Sequence, residues 1–263
     1  MQTTYNGEHS IIFGDKHSWE DWGLVPASLP IVSIPGADVN VVRIPGSNGF
    51  IDLTDILRGC PSYSGRTGTW DFIVASDKTG LSWPETYSML ASYLHGKEMT
   101  CRLTDDRSYF YTGRFTVKDF KASKVYNTIQ IEYALQPFKQ MIWTTCQEWE
   151  WDPFDLIYGE INQSDFMNIP VEAGVATDIR WNQNYIGNAP VTPRIIVASF
   201  NQSGMKLKVN NTATGIGERE FDLEMGTNVN PLIEFSCPRP TDETLIHVTG
   251  EGLISFDFRP GRL

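Results

Sequence analysis

The chain has 263 residues, enough for one large domain or two ordinary ones, and its 41% hydrophobic and 20% charged content is that of a folded protein rather than a disordered one. The net charge of −11 divides into −3 over residues 1–137 (12 basic, 15 acidic) and −8 over residues 138–263 (9 basic, 17 acidic). That balance argues against general nucleic-acid binding and against anchoring on an anionic membrane leaflet, because both partners are themselves negative.

Short β segments separated by Gly, Pro, Asn and Asp dominate the chain. The N-terminal MQTTYNGEHSIIFG carries no basic segment followed by an apolar core, so no signal peptide is expected and folding in a cytoplasm is. No stretch approaches the roughly 18 consecutive apolar residues of a membrane span. The first strand candidate is 39–44 (VNVVRI). It runs into RIPGSNGFIDLTDILRG, which reads as a glycine turn entering a strand or short helical turn, with Asp52 or Thr54 bonding to local amides.

Residues 69–75 are the next strand. Over 82–96 the spacing changes and predicts a helix. Ser82 and Glu85 have capping-box spacing, Pro84 suits a first turn, Tyr87, Leu90, Ala91 and Leu94 form one apolar stripe, and Gly96 marks the stop. Strands follow at 99–104, 109–119 and 127–135. In the last, Ile129, Ile131 and Tyr133 alternate with Gln130 and Glu132, the period of a strand with one wet face. TDDRS, with Asp105 and Asp106, reads as a hairpin turn.

The regular pattern ends at QPFKQ. Residues 138–154 read as an aromatic, acidic connector between an N-terminal domain (1–137) and a C-terminal one (155–263). The second domain offers strand candidates at 194–200, 205–209, 219–223, 231–235 and 244–248, so the chain is expected to be mainly β.

Candidate chemistry is sparse. A phosphate loop needs GxxxxGK[ST], yet Gly46 and Gly49 are followed by Phe50 and Ile51 with no Lys. A calcium loop needs alternating oxygen ligands and a late Glu, which Asp52, Thr54 and Asp55 do not supply. Neighbouring carboxylates such as Asp105 and Asp106 point to opposite faces of a strand, and His9, His17, His95 and His247 lack triad contexts. Cys60, Cys101, Cys146 and Cys237 form no CxxC pair and read as buried free thiols; two bridges are the alternative, which nothing in the spacing suggests. No metal, cofactor or catalytic group is expected, so the protein reads as a building or binding protein rather than an enzyme. Trp143, Trp149, Trp151 and Trp181 could be an interface, a core, or a sugar-stacking platform, with Trp181 the carbohydrate candidate.

The ordered succession IPGSNGFIDLTDILRG, YSGRTGTWDFIV and LASYLHGKEMTCRLTDDRSYFYTGRFTVKDF resembles the distal tail proteins of long-tailed phages infecting Gram-positive bacteria. The positions that carry the resemblance are Pro45, Gly46, Gly49, Asp52, Leu53, Arg66, Leu94, His95, Gly96, Lys97, Asp105, Asp106, Tyr109, Tyr111, Gly113 and Arg114. NYIGNAPVTPRIIV and the closing GEGLISFDFRPGRL are similar to the galectin-like sandwich that follows in many of these proteins, although a galectin's His-x-Asn-x-Arg signature is absent.

The resemblance implies an N-terminal β-sandwich with one helix and a C-terminal galectin-like β-sandwich. It implies a homo-hexameric ring in the virion tail tip, assembled in the host cytoplasm. The ring would lie between the tail tube protein and the hub or tail-associated protein, with receptor-binding or fibre proteins nearby. DNA would pass through the lumen without specific binding, and no membrane would be involved. A carbohydrate-binding module adhering to a bacterial cell wall is the alternative from a different class.

Overall fold

The computed structural model describes residues 6–56, 59–122, 127–147, 164–200, 204–212 and 218–263. The chain forms two compact units, one from Met1–Ala37 with Tyr63–Lys139 and the other from Asp38–Ser62 with Gln140–Leu263. The last part of the expected connector, residues 148–154 with Trp149 and Trp151, lies outside the described residues.

The first unit is built on β1 (Ile11–Phe13), β2 (Leu24–Pro26), β3 (Arg66–Val74), α1 (Trp83–Leu94), β4 (Glu98–Leu103), β5 (Tyr109–Ala122) and β6 (Asn127–Leu135). The strands run in the order β1-β4-β5-β6-β3-β2, and Lys16–His17 turns back onto β1. Four strand spacings separate β1 from β3, which in a flat sheet would be about 19 Å. The Phe13 ring of β1 nevertheless lies 6.0 Å from the Trp70 ring of β3 and 5.2 Å from Phe115 of β5. The sheet therefore curls over on itself and closes a core between its own halves, giving the expected sandwich. Phe13, Trp22, Leu24, Trp70, Phe72, Phe115 and Ile131 fill that core, and α1 adds Leu90 and Leu94.

The helix forms where the spacing predicts it. Glu85 accepts from the Ser82 amide at 2.9 Å, and Gly96, at φ +74°, ends the turn in a conformation that suits glycine. Thr86 joins the buried face of the helix, its hydroxyl donating to the Ser82 carbonyl at 3.2 Å. Two one-turn helices, Ser76–Thr79 and Gln183–Ile186, were not predicted, because four residues are too few to display a helical period.

Among the described residues of the second unit, eight strands form two antiparallel sheets. They are β7 (Ile169–Val171), β8 (Thr177–Asn182), β9 (Arg194–Phe200), β10 (Met205–Asn211), β11 (Arg219–Leu223), β12 (Gly226–Val229), β13 (Glu243–Thr249) and β14 (Gly252–Asp257). One sheet has the order β7-β14-β9-β12 and the other β8-β13-β10-β11. Ile195, Val197, Ile254 and Phe256 of the first share one core with Trp181, Leu207, Ile246 and Val248 of the second. This is a β-sandwich.

The expected strand at 231–235 is a correction. Asn230 closes a turn there, accepting from the Leu232 amide with its side chain and from the Ile233 amide with its carbonyl, and Phe235 makes an isolated bridge to Val191. Pairing with β9 goes to β12 instead.

Cys101, Cys146 and Cys237 are free thiols. Cys101 and Cys237 are buried, Cys60 and Cys146 half-buried. Burial pushes the Cys101 thiol well up and the Cys146 thiol up to about 11.

Candidate functional site

The segment Asp38–Ser62 carries the most distinctive surface of the second unit. Val41–Arg43 and Phe50–Asp52 pair as a two-stranded hairpin, with Val42 opposite Ile51 and Arg43 opposite Phe50. The connection is dictated by the motif residues. Pro45 and Gly46, at φ +81°, occupy the two centres of a turn in which the Ser47 amide donates to the Ile44 carbonyl at 3.2 Å, and Gly49 at φ +133° brings the chain back. At the base, the Thr54 amide donates to Asp52 at 2.9 Å, the Asn40 amide to the Thr54 hydroxyl at 3.0 Å, and the Leu53 amide to the Asn40 carbonyl at 2.8 Å. These contacts with Thr54 hold the Asp52 carboxyl below its usual range. The expected local bonding of Asp52 and Thr54 is thus present.

Neighbouring strand residues point to opposite sides, so Val42 and Ile51 lie on one face of the hairpin, Val41 and Phe50 on the other. All six strand residues are exposed, Phe50 at 62%. Val39, Ile44 and Ile56, next to it in the chain, are exposed as well. An isolated two-stranded ribbon with apolar side chains on both faces is marginal in water, and such a patch marks an interaction surface. The sequence located the strand but not its exposure.

The first unit has a smaller exposed apolar run that the sequence reading missed: Leu29, Ile31 and Ile34, the last 89% exposed. Core side chains hold this segment by its backbone. Trp70 Nε1 donates to the Ile31 carbonyl, Arg66 Nη1 to the Ser33 carbonyl, and the Ser33 amide to the Tyr133 hydroxyl. Gripped through its main chain, the segment turns these side chains outward.

The remaining motif residues are structural braces of the first unit. Arg66 is 4% exposed, lies 5.4 Å from the Tyr111 ring and donates to the Pro137 carbonyl. Lys139 sits 4.4 Å over the Tyr109 ring and pairs with Asp106 at 2.6 Å. His95 ends α1, and the carbonyl of Gly96 accepts from Arg114, which also pairs with Glu98 at 3.1 Å. A Cβ on Gly113 would run into the Ala134 carbonyl and Leu135. The motif therefore divides between the hairpin (Pro45, Gly46, Gly49, Asp52, Leu53) and this brace.

Trp181 requires a correction. It is 2% exposed, and the rings of Phe166, Phe235, Phe256 and Phe258 surround it within 6.0 Å, so no face is open for a sugar. Among the described residues, no group of three His, Cys, Asp or Glu side chains is placed to hold a metal ion. On the second sheet Lys206 pairs across strands with Glu220 and Asp222, and His247 Nδ1 lies within hydrogen-bond distance of the Asp178 carboxylate.

No protein-family model matches the chain, and no curated protein matches it. Among solved structures, the fold matches that of the SPP1 Dit (gp 19.1) protein, described as a paradigm of the hub adsorption apparatus in phages infecting Gram-positive bacteria. The TM-score is 0.57 at 14% sequence identity, with 95% of this chain and 98% of that chain covered. At that identity the likeness is one of fold, and it spans both units.

Proposed function

We propose that this protein is a non-enzymatic structural subunit of a phage tail tip. It assembles with copies of itself into a hexameric ring between the tail tube protein and the hub or host-adhesion apparatus, and DNA passes through the lumen unbound. The observation that carries this reading is the two-faced apolar hairpin at 41–52, exposed on a chain whose fold matches a phage hub protein. Where the ribbon meets a different patch of the next copy, the contact is head-to-tail and closes into a ring when the rotation allows. The net charge of −11 suits a lumen that must not retain DNA.

Sedimentation velocity and negative-stain microscopy of the purified chain test this reading. A closed ring is the expected outcome. A strict monomer at high concentration, with no ring in assembled tails, overturns it.

A further inference from the structure

Within the second unit, Arg239 joins the sandwich to the segment that carries the hairpin. Its backbone is fixed. Prolines 238 and 240 flank it and restrict φ on either side. The Arg239 amide donates to Asp242 Oδ2 at 2.9 Å, the Asp242 amide returns to the Arg239 carbonyl at 3.0 Å, and Asp242 is itself buried. Gln183 Nε2 donates to the Pro238 carbonyl, and the preceding Cys237 is fully buried in the sandwich core.

From this rigid turn the guanidinium reaches across to Asp55 Oδ2 at 3.6 Å and donates to the Gly59 carbonyl. Those two acceptors are themselves linked, since the Gly59 amide donates to the Asp55 carbonyl at 2.7 Å, and Gly59 adopts φ +69°. A second turn bond, from the Ile56 amide to the Leu53 carbonyl, leads to Leu53, whose amide holds Asn40 across the hairpin base. The first strand pair, Val41 with Asp52, is one residue further on. A hydrogen-bonded path therefore runs from the sandwich core through Arg239 into the hairpin.

We propose that Arg239 is a latch by which the C-terminal sandwich sets the pose of the 41–52 hairpin and so controls self-assembly. This rests on the reading that the hairpin is the assembly element. A ribbon with no cover of its own must take its direction from its base, and the Arg239 guanidinium grips that base. Both members of the Arg239–Asp55 pair are about half exposed, so the ion pair alone contributes little; the bond to the Gly59 carbonyl, with its charged donor, is the firmer hold.

The test compares full-length wild type with Arg239→Ala and with the exchanged pair Arg239→Asp/Asp55→Arg, by hydrogen exchange under dilute conditions and by sedimentation velocity. Arg239→Ala should speed exchange of the hairpin amides roughly two- to fivefold, leave β9, β10 and β13 unchanged, and reduce the ring fraction. The exchanged pair, which restores the ion pair but not the carbonyl bond, should fall in between. Unchanged hairpin exchange in Arg239→Ala overturns the latch, and faster exchange with undiminished ring formation overturns its control of assembly. A wild type that never assembles overturns instead the structural-subunit reading, and hairpin exchange then judges the latch alone.

Discussion

Arg66 Nη1 donates to the Ser33 carbonyl at 2.9 Å while Nε of the same side chain donates to the Pro137 carbonyl at 2.7 Å, so one buried guanidinium ties two distant segments to the start of β3. Burial pushes the guanidinium down from its usual range, and its Nη2 is buried without a partner among the described residues. Arg66→Ala leaves a cavity and two orphaned carbonyls. It should lower the unfolding free energy of the chain by about 2–3 kcal/mol in urea titrations followed by tryptophan fluorescence. An unchanged midpoint would mean that the brace is dispensable.

Two motif glycines should respond differently to Ala. At Gly113 the new Cβ meets the backbone of β6, which cannot retreat without breaking the ladder; the expected loss is about 2 kcal/mol or more. At Gly96 space is open, but φ is +74°, so the cost is conformational and about 1 kcal/mol. Thermal unfolding of the two variants side by side checks the order.

These contrasts also explain what could be read in advance. The strand 127–135 was legible residue for residue because its buried Ile129, Ile131 and Tyr133 alternate with side chains that face water. The helix was legible because Ser82, Glu85 and Gly96 mark its ends by local chemistry. Three-residue strands such as β1 and β2 show no period at all, so tertiary pairing alone defines them. The run PLIEF is apolar enough for a strand, yet Asn230 spends it on a turn. Burial of Trp181 and exposure of Phe50 depend on which surfaces are covered in three dimensions, which no local pattern records.

Trp181→Ala separates core from binding roles. Removing a ring packed against four phenylalanines should cost about 3–5 kcal/mol and broaden the unfolding of the second unit. Any loss of glycan binding by this variant should track loss of fold, measured by near-ultraviolet circular dichroism on the same sample. Loss of binding in a fully folded variant would restore the sugar-stacking reading.

Acidification should weaken the start of α1. The Ser82 hydroxyl and amide hold the Glu85 carboxyl below its ordinary 4.5. A carboxyl depressed in the folded state stabilises that state fully above its unfolded value, and the contribution is lost as pH falls through the depressed one. The difference in melting temperature between wild type and Glu85→Gln should therefore be present at pH 6 and shrink progressively once pH drops below about 4.5. A difference independent of pH would assign the effect of the substitution to something other than the cap.

The hairpin supplies the sharpest separation of assembly from folding. Phe50 and Ile51 lie on opposite faces, are 62% and 47% exposed, and so contribute little to the folded monomer. Replacing either by Asp should change unfolding free energy by no more than about 0.5 kcal/mol, since exposed positions tolerate polar residues. In an assembly where they are covered, the same change places a carboxylate in an apolar contact, and such burial is strongly unfavourable. Each variant should thus remain folded and sediment as a monomer under conditions where wild type forms rings. If one face tolerates Asp and the other does not, the tolerant face is turned to solvent in the ring. If both are tolerated, the hairpin is not the contact, and the run Leu29, Ile31 and Ile34 becomes the surface to substitute next.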